Sequence, residues 1–111
     1  MTEFQSRVFK AVERIPKGRV APYSEVARAA GSPRAARAIG NILHNNPFFG
    51  IVPCHRVVHA DGALAAAFAF GGEGVQREML ENEGVTFTAD GRVDMRLHGC
   101  MIKEETHGGE Q

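Results

Sequence analysis

Cys54 and His55 are the residues of this chain whose types and spacing point most directly to chemistry. They stand in Pro53-Cys54-His55-Arg56, where a thiol behind a rigid proline is followed by an imidazole and a guanidinium. A thiol is a useful nucleophile as thiolate, and neighbouring positive charge and an adjacent base both favour that form. The motif closes a long segment without carboxylates, since Glu25 is the last acid before Asp61. A thiol in so cationic a setting suits chemistry on an anionic partner, with nucleic acid the leading candidate. Adjacent residues on an extended strand point to opposite sides, so His55 need not contact Cys54 directly, and a water could relay between them. Glu83, in Glu81-Asn82-Glu83-Gly84, can hold the imidazole if the helix before it packs behind the Cys54 loop. A zinc site drawn from Cys54, His55, His59 or Cys100 with His98 competes with this reading, but the candidates are scattered and no Cys-x-x-Cys pair exists, so no metal is expected.

The elements that must position this motif carry an uneven charge. The chain has 111 residues and a formal net charge of zero. Residues 1–56 nevertheless hold nine Lys and Arg against three acids, and residues 57–111 hold four against ten. Such asymmetry points to one polyanion-binding face, with the acidic surface elsewhere. The length suits one domain with its own core, expected over 1–102, followed by a polar, frayed tail over 103–111. Two cysteines suit a reducing compartment better than a disulfide framework, and a cytoplasmic, monomeric protein is expected. The first residues lack the apolar core of a signal peptide, and no apolar run is long enough to span a membrane.

Apolar periodicity predicts a first helix through Phe4, Val8, Phe9, Val12 and Ile15, stopped at Pro16-Lys17-Gly18. Ser24 is expected to cap a second helix over 25–30, ended by Gly31. Ser32 is expected to cap a third with Pro33 at its first position, running to about Asn45. Two helices joined by so short a turn read as a helix-turn-helix. Ile51-Val52 and Val57-Val58 are apolar pieces flanking the motif, and Asp61-Gly62 reads as a tight turn. A fourth helix is expected over about 74–82, then a small hairpin pairing 85–88 with 93–97 through a turn at Asp90-Gly91. The fold class is thus mostly α with a small β hairpin, a winged helix-turn-helix-like DNA-binding domain.

The third helix sharpens the partner. Arg34, Arg37, Asn41 and His44 fall on one face, Ala36, Ile39 and Leu43 form an inward stripe, and Ala35, Ala38 and Gly40 keep the remaining surface small. Small side chains let a helix lie close to a nucleic-acid backbone while arginines reach past it.

The order of these motifs resembles the C-terminal domain of O6-alkylguanine-DNA alkyltransferases. The resemblance rests on Ile15-Pro16-Lys17-Gly18-Arg19-Val20, Pro22-Tyr23-Ser24-Glu25-Val26-Ala27, Pro33 through Gly40, Asn46-Pro47, Ile51 through Val58, and Gly71-Gly72 through Glu83-Gly84. It implies that Cys54 accepts an alkyl group from guanine O6, without a cofactor, while His55 and Glu83 draw off the thiol proton through a water. It implies further that Tyr23 neutralises the departing guanine and contacts a phosphate, and that Arg37 fills the stack vacated by the flipped nucleotide. Asn46 and Pro53 would brace the active-site loop, and Arg34, Ala36, Asn41, Ser24 and Arg56 would line the DNA. The partner is then double-stranded DNA containing O6-alkylguanine.

Three departures accompany the resemblance. The N-terminal domain of many members, with its zinc ligands, has no counterpart in this sequence. The segment after Cys54 is two residues longer than usual, and Phe68-Ala69-Phe70 replaces a tyrosine and a small residue on the guanine-pocket wall. The length and the Asp90-Gly91-Arg92-Val93-Asp94 tail are similar to the alkyltransferase-like proteins, which bind alkylated guanine and flag it for nucleotide excision repair but carry tryptophan where Cys54 stands. That likeness adds a non-catalytic sensor as the alternative function, with excision-repair proteins as partners.

Overall fold

The computed structural model describes residues 2–45, 51–65 and 71–103. Helix α1 spans Glu3–Glu13 and opens on a capping box, in which Thr2 and Gln5 each accept the other's backbone N–H. Its apolar stripe buries Val8, Phe9 and Val12. The helix ends before Pro16, leaving Ile15 outside it yet fully buried.

Strand β1 (Ala21–Pro22) runs directly into α2 (Tyr23–Ala29), which Pro22 precedes without any side-chain cap. Ser24 therefore lies inside the first turn of α2 and does not cap it. Gly31, at φ +90°, closes α2 in a Schellman motif, with its N–H on Arg28 O (3.0 Å) and the Ser32 N–H on Ala27 O (2.9 Å). Ser32 thus completes α2 rather than starting the next helix. Pro33 and Arg34 form a turn closed by the Ala35 N–H on Ser32 O (2.9 Å), and α3 begins only at Ala36, spanning Ala36–His44. The helix-turn-helix is present, with a longer connection than its sequence suggests.

A short 3-10 turn at Cys54–Arg56 leads into β2 (Val57–Val58). β2 pairs in parallel with β1, Ala21 opposite Val57 and Pro22 opposite Val58. Side chains alternate along both strands, so the pair sits between two cores. Ala21 and Val57 join α1, α2 and α3 on one side, whereas Val20 and Val58 join Leu64, Leu80, Val85 and Val93 on the other. Ile51, in the first of the two apolar pieces flanking the motif, lies in a turn and is exposed. Gly62, at φ +87°, tolerates no side chain, because a Cβ there would sit 2.4 Å from Val93 O.

Helix α4 spans Gly72–Asn82. The hairpin after it is shorter than expected. Phe87 and Val93 form one antiparallel bridge, flanked by Asp94 N–H to Thr86 O (3.1 Å) and Thr88 N–H to Arg92 O (2.7 Å). Its second arm stops at Asp94, whose carboxylate accepts from Arg96 N–H (3.2 Å) and caps α5, Met95–His98. The chain then pairs with Val20 and docks Ile102 on α2: Glu25 accepts the Ile102 N–H (2.7 Å) and Arg28 donates to its carbonyl (3.0 Å). Lys103, the expected start of the tail, gives its carbonyl to Arg14 Nε (2.8 Å), and residues 104–111 lie outside the described residues.

Candidate functional site

The backbone presents Cys54 through an unusual pair of turns. Pro53 (φ −79°, ψ 67°) is the centre of an inverse γ-turn closed by Cys54 N–H on Val52 O (2.8 Å). The proline ring restricts φ to the value this turn needs. The following 3-10 turn replaces the expected extended strand and holds Cys54 and His55 within the fold, with the thiol residue only 6% exposed.

His55 is also buried, and its Nε2 lies 2.9 Å from Glu83 Oε2. Glu83 stands immediately after the last turn of α4, which packs behind the Cys54 loop as the sequence required. Arg56 forks the same carboxylate, Nε to Oε1 at 3.0 Å and Nη2 to Oε2 at 2.7 Å, and its Nη1 donates to Ile15 O at 2.8 Å. Burial alone would raise the Glu83 pKa. The hydrogen bonds and charges of Arg56 and His55 outweigh it and hold the carboxyl down at about 2. An ionised carboxylate only accepts hydrogen bonds, so the His55 proton resides on Nε2. Nδ1 of a neutral His55 is then the nitrogen able to take a proton.

Arg56 needs correction. It was expected to line the DNA, but its guanidinium is turned inward and its side chain is 16% exposed. It locks the turn to α4 and to the end of α1.

Tyr23 reaches the site from the first residue of α2. Burial first, and the charge of Cys54 second, push its phenol pKa up, so the hydroxyl keeps its proton. Its ring lies 4.0 Å from where a Cβ on Gly40 would be, so the small face of α3 lets it approach. Its other neighbour is His59, with ring centroids 5.2 Å apart and planes tilted by 48°.

Along α3, Ile39 and Leu43 are buried, Ala36 is half-buried, and Arg37, Asn41 and His44 are exposed together. Arg34 is exposed but sits on the turn before the helix, not on its face. Ser24 is exposed next to Tyr23. Asn46 and Phe68-Ala69-Phe70 lie outside the described residues.

His59 and Gln76 belong to this site although sequence reasoning gave neither a part in it. His59 entered only as a possible metal ligand, and Gln76 carried no motif. Gln76 is fully buried on α4 and hydrogen-bonds the chain on both sides of Arg56. His98, for which no role was expected, ties the two ends of the second core: Nδ1 faces Gly18 O (3.1 Å) and Nε2 accepts the Thr86 N–H (3.0 Å). His55 and His59 do stand in His-x-x-x-His spacing. The His55 Nε2 is committed to Glu83, and among the described residues no three His, Cys, Asp or Glu side chains converge as a metal site.

Comparisons place this geometry in a family. Residues 3–85 match the family described as 6-O-methylguanine DNA methyltransferase, DNA binding domain. A methylated-DNA–protein-cysteine methyltransferase of Methanothermobacter thermautotrophicus is 46% identical over 86 residues, covering 77% of this chain and 46% of the relative. An Escherichia coli protein called a DNA base-flipping protein is 39% identical over 97 residues, 86% of this chain and 72% of its own length. Among solved structures, Schizosaccharomyces pombe Atl1 in complex with damaged DNA containing O6-carboxymethylguanine superposes with a TM-score of 0.76 at 34% identity, covering 93% of this chain and 97% of that one. Mycobacterium tuberculosis OGT in complex with DNA gives a TM-score of 0.69 at 44% identity, over 75% of this chain and 50% of that one. The chain spans about half the length of the methyltransferases it matches. Sequence, fold and site therefore agree that this chain belongs to the 6-O-methylguanine DNA methyltransferase family, through that family's DNA-binding domain.

Proposed function

We propose that this protein flips O6-alkylguanine out of duplex DNA and transfers the alkyl group irreversibly to Cys54. The observation that carries this reading is the His55–Glu83 pair. An imidazole whose Nε2 is held by an ionised carboxylate sits beside the thiol residue, with Nδ1 left to accept a proton. In the reaction, the Cys54 proton passes through a water to His55. Sγ attacks the alkyl carbon in line, the carbon–O6 bond breaks, and its electron pair leaves with guanine. Tyr23 donates a proton to the departing base, and the proton held by His55 restores the tyrosine through solvent. The product thioether has no hydrolytic exit, so each molecule reacts once and no cofactor enters.

A base inside the helix cannot present O6 in line with the thiol, so extrusion must come first, at a cost of a few kcal/mol that a poorly paired lesion lowers. Arg37, exposed on α3, is suited to occupy the vacated stack, and Arg34 to attract phosphates. The test is intact-protein mass spectrometry after incubation with duplex DNA carrying one O6-methylguanine, followed by peptide mapping. The expected result is a single methyl on Cys54.

A second reading follows from the near end-to-end match with Atl1: a damage sensor that binds the lesion, leaves the thiol idle and hands the site to excision-repair proteins. An unchanged mass with lesion-selective binding in the same sample would favour it and overturn transfer.

A further inference from the structure

Gln76 is a fully buried polar side chain on α4, and neither the transfer reaction nor the DNA-binding face uses it. Its residue exposure is 0%, and the whole carboxamide is satisfied by backbone groups. Nε2 donates to His55 O (3.1 Å) and Val57 O (3.0 Å), and Oε1 accepts from Ala65 N–H (2.9 Å). Two donors and one acceptor on a single planar group meet three separate backbone partners, a combination that only a primary amide supplies without charge.

The partners are what give this bond set a meaning beyond stability. His55 and Val57 flank Arg56, so Gln76 grips the catalytic turn on both sides of the residue that forks Glu83. Gln76, Leu80 and Glu83 follow one another at helical spacing, making one face of α4 that meets the turn at its two ends. Ala65 lies eight residues beyond Val57, past the Asp61-Gly62 turn, so its bond reaches a second, separate stretch of chain. One amide thus ties both ends of the turn that carries the nucleophile to the chain at Ala65.

We infer that Gln76 is a positioning residue that fixes Cys54 and His55 relative to the extruded base, and so sets the rate of alkyl transfer rather than DNA affinity. The inference rests on the transfer reading above. Displacing a reacting group by about 1 Å can cost about 100-fold in rate. Loss of the amide should therefore act on the chemical step. The three hydrogen bonds of Gln76 go to Ala65, His55 and Val57, none of them on α3, so binding should survive.

Two variants divide the role. Gln76→Met keeps the length and removes every polar contact. Gln76→Asn keeps the uncharged amide but is one methylene too short to reach all three backbone partners, so it remains informative if the methionine variant does not fold. Each is compared with wild type for two quantities, normalised to the folded fraction: the single-turnover transfer rate at saturating O6-methylguanine duplex, and the Kd for that duplex. The expected result is a rate lower by tenfold or more in both variants with Kd changed less than twofold. Rates within twofold of wild type, or equal losses in Kd and rate, overturn the positioning role. A wild type that acquires no methyl at all overturns the transfer reading itself, a failure distinct from that of Gln76.

Discussion

Replacing Glu83 by glutamine removes one charge while nearly preserving shape, at the point where three side chains meet. The carboxylate accepts from His55 Nε2 at 2.9 Å and from Arg56 at 3.0 and 2.7 Å, and its side chain is 13% exposed. The fall of its pKa from 4.5 to about 2 corresponds to roughly 3 kcal/mol, at about 1.4 kcal/mol for each tenfold change in the proton equilibrium. Because the folded-state pKa is depressed, this stabilisation is complete above the ordinary carboxylate range and is lost as pH falls towards 2. About 2 kcal/mol of it is gone by pH 3. Glutamine cannot titrate, and it leaves the largely buried Arg56 without its counter-ion.

Urea unfolding followed by far-ultraviolet circular dichroism at pH 7, 5 and 3 reads both consequences. Glu83→Gln should lower the unfolding free energy by about 2–3 kcal/mol at pH 7. The gap to wild type should narrow by about 2 kcal/mol at pH 3. Glu25, Asp61 and Asp90 also have lowered pKa values, so the difference between the two proteins, not either curve alone, isolates Glu83. A gap that stays constant with pH, or one below about 0.5 kcal/mol at pH 7, would refute the reasoning. The same variant should transfer methyl at least tenfold more slowly, since a positioned base contributes about 10²–10⁴.

Other predictions follow from the same geometry. Cys54→Ser should bind lesion DNA and gain no methyl, as mass spectrometry of the complex would show; loss of binding would mean the thiol has a structural role. Tyr23→Phe should slow transfer about tenfold with little change in Kd, and wild-type activity should show no decline from Tyr23 ionisation up to pH 9, because burial raises its pKa. Arg37→Ala should abolish discrimination between lesion and intact duplex in fluorescence anisotropy and reduce the salt slope by about 1. Unchanged lesion binding would disprove the role of Arg37 in flipping. Arg56→Met should cost about 3 kcal/mol of stability, yet leave the salt slope of DNA binding unaltered. A reduced slope would return Arg56 to the DNA interface.

The helix-turn-helix and the Cys54–His55–Glu83 relation were legible because each depends on local periodicity or on one helix packing behind one loop. Cap residues were misassigned where a turn intervened between one helix end and the next helix start. The Ser32 carbonyl closes a turn on Ala35 N–H instead of opening a helix, so α3 starts only after Ala35 and Ser32 is left as the end of the α2 motif. The β1–β2 pair was illegible, since two-residue strands far apart in sequence leave no periodic trace. Asp94 truncated the hairpin because its side chain caps a helix that hydrophobic alternation did not reveal. Arg56 was expected at the DNA because an arginine beside the thiol looks like a phosphate contact until its bonds to Glu83 and Ile15 are seen. Gln76 was overlooked because a glutamine on a polar helix looks like surface until its partners are known.

Within the site, the contacts of Arg56 and His55 with Glu83 answer to different needs. The Arg56 fork, with its third bond to Ile15 O, is enough to hold the 3-10 turn against α4 and the end of α1. Locking the turn does not require an imidazole as well. A buried His55 costs desolvation that an apolar side chain of similar size would avoid. What the imidazole adds is a proton fixed on Nε2 by an ionised carboxylate and an acceptor at Nδ1, one residue from the thiol. A domain that only recognised a lesion has no use for a proton acceptor there. The near-complete length match with Atl1 is a likeness of fold, whereas the His55–Glu83 contact beside Cys54 is a feature of the site itself. On that ground we propose alkyl transfer to Cys54 ahead of recognition alone.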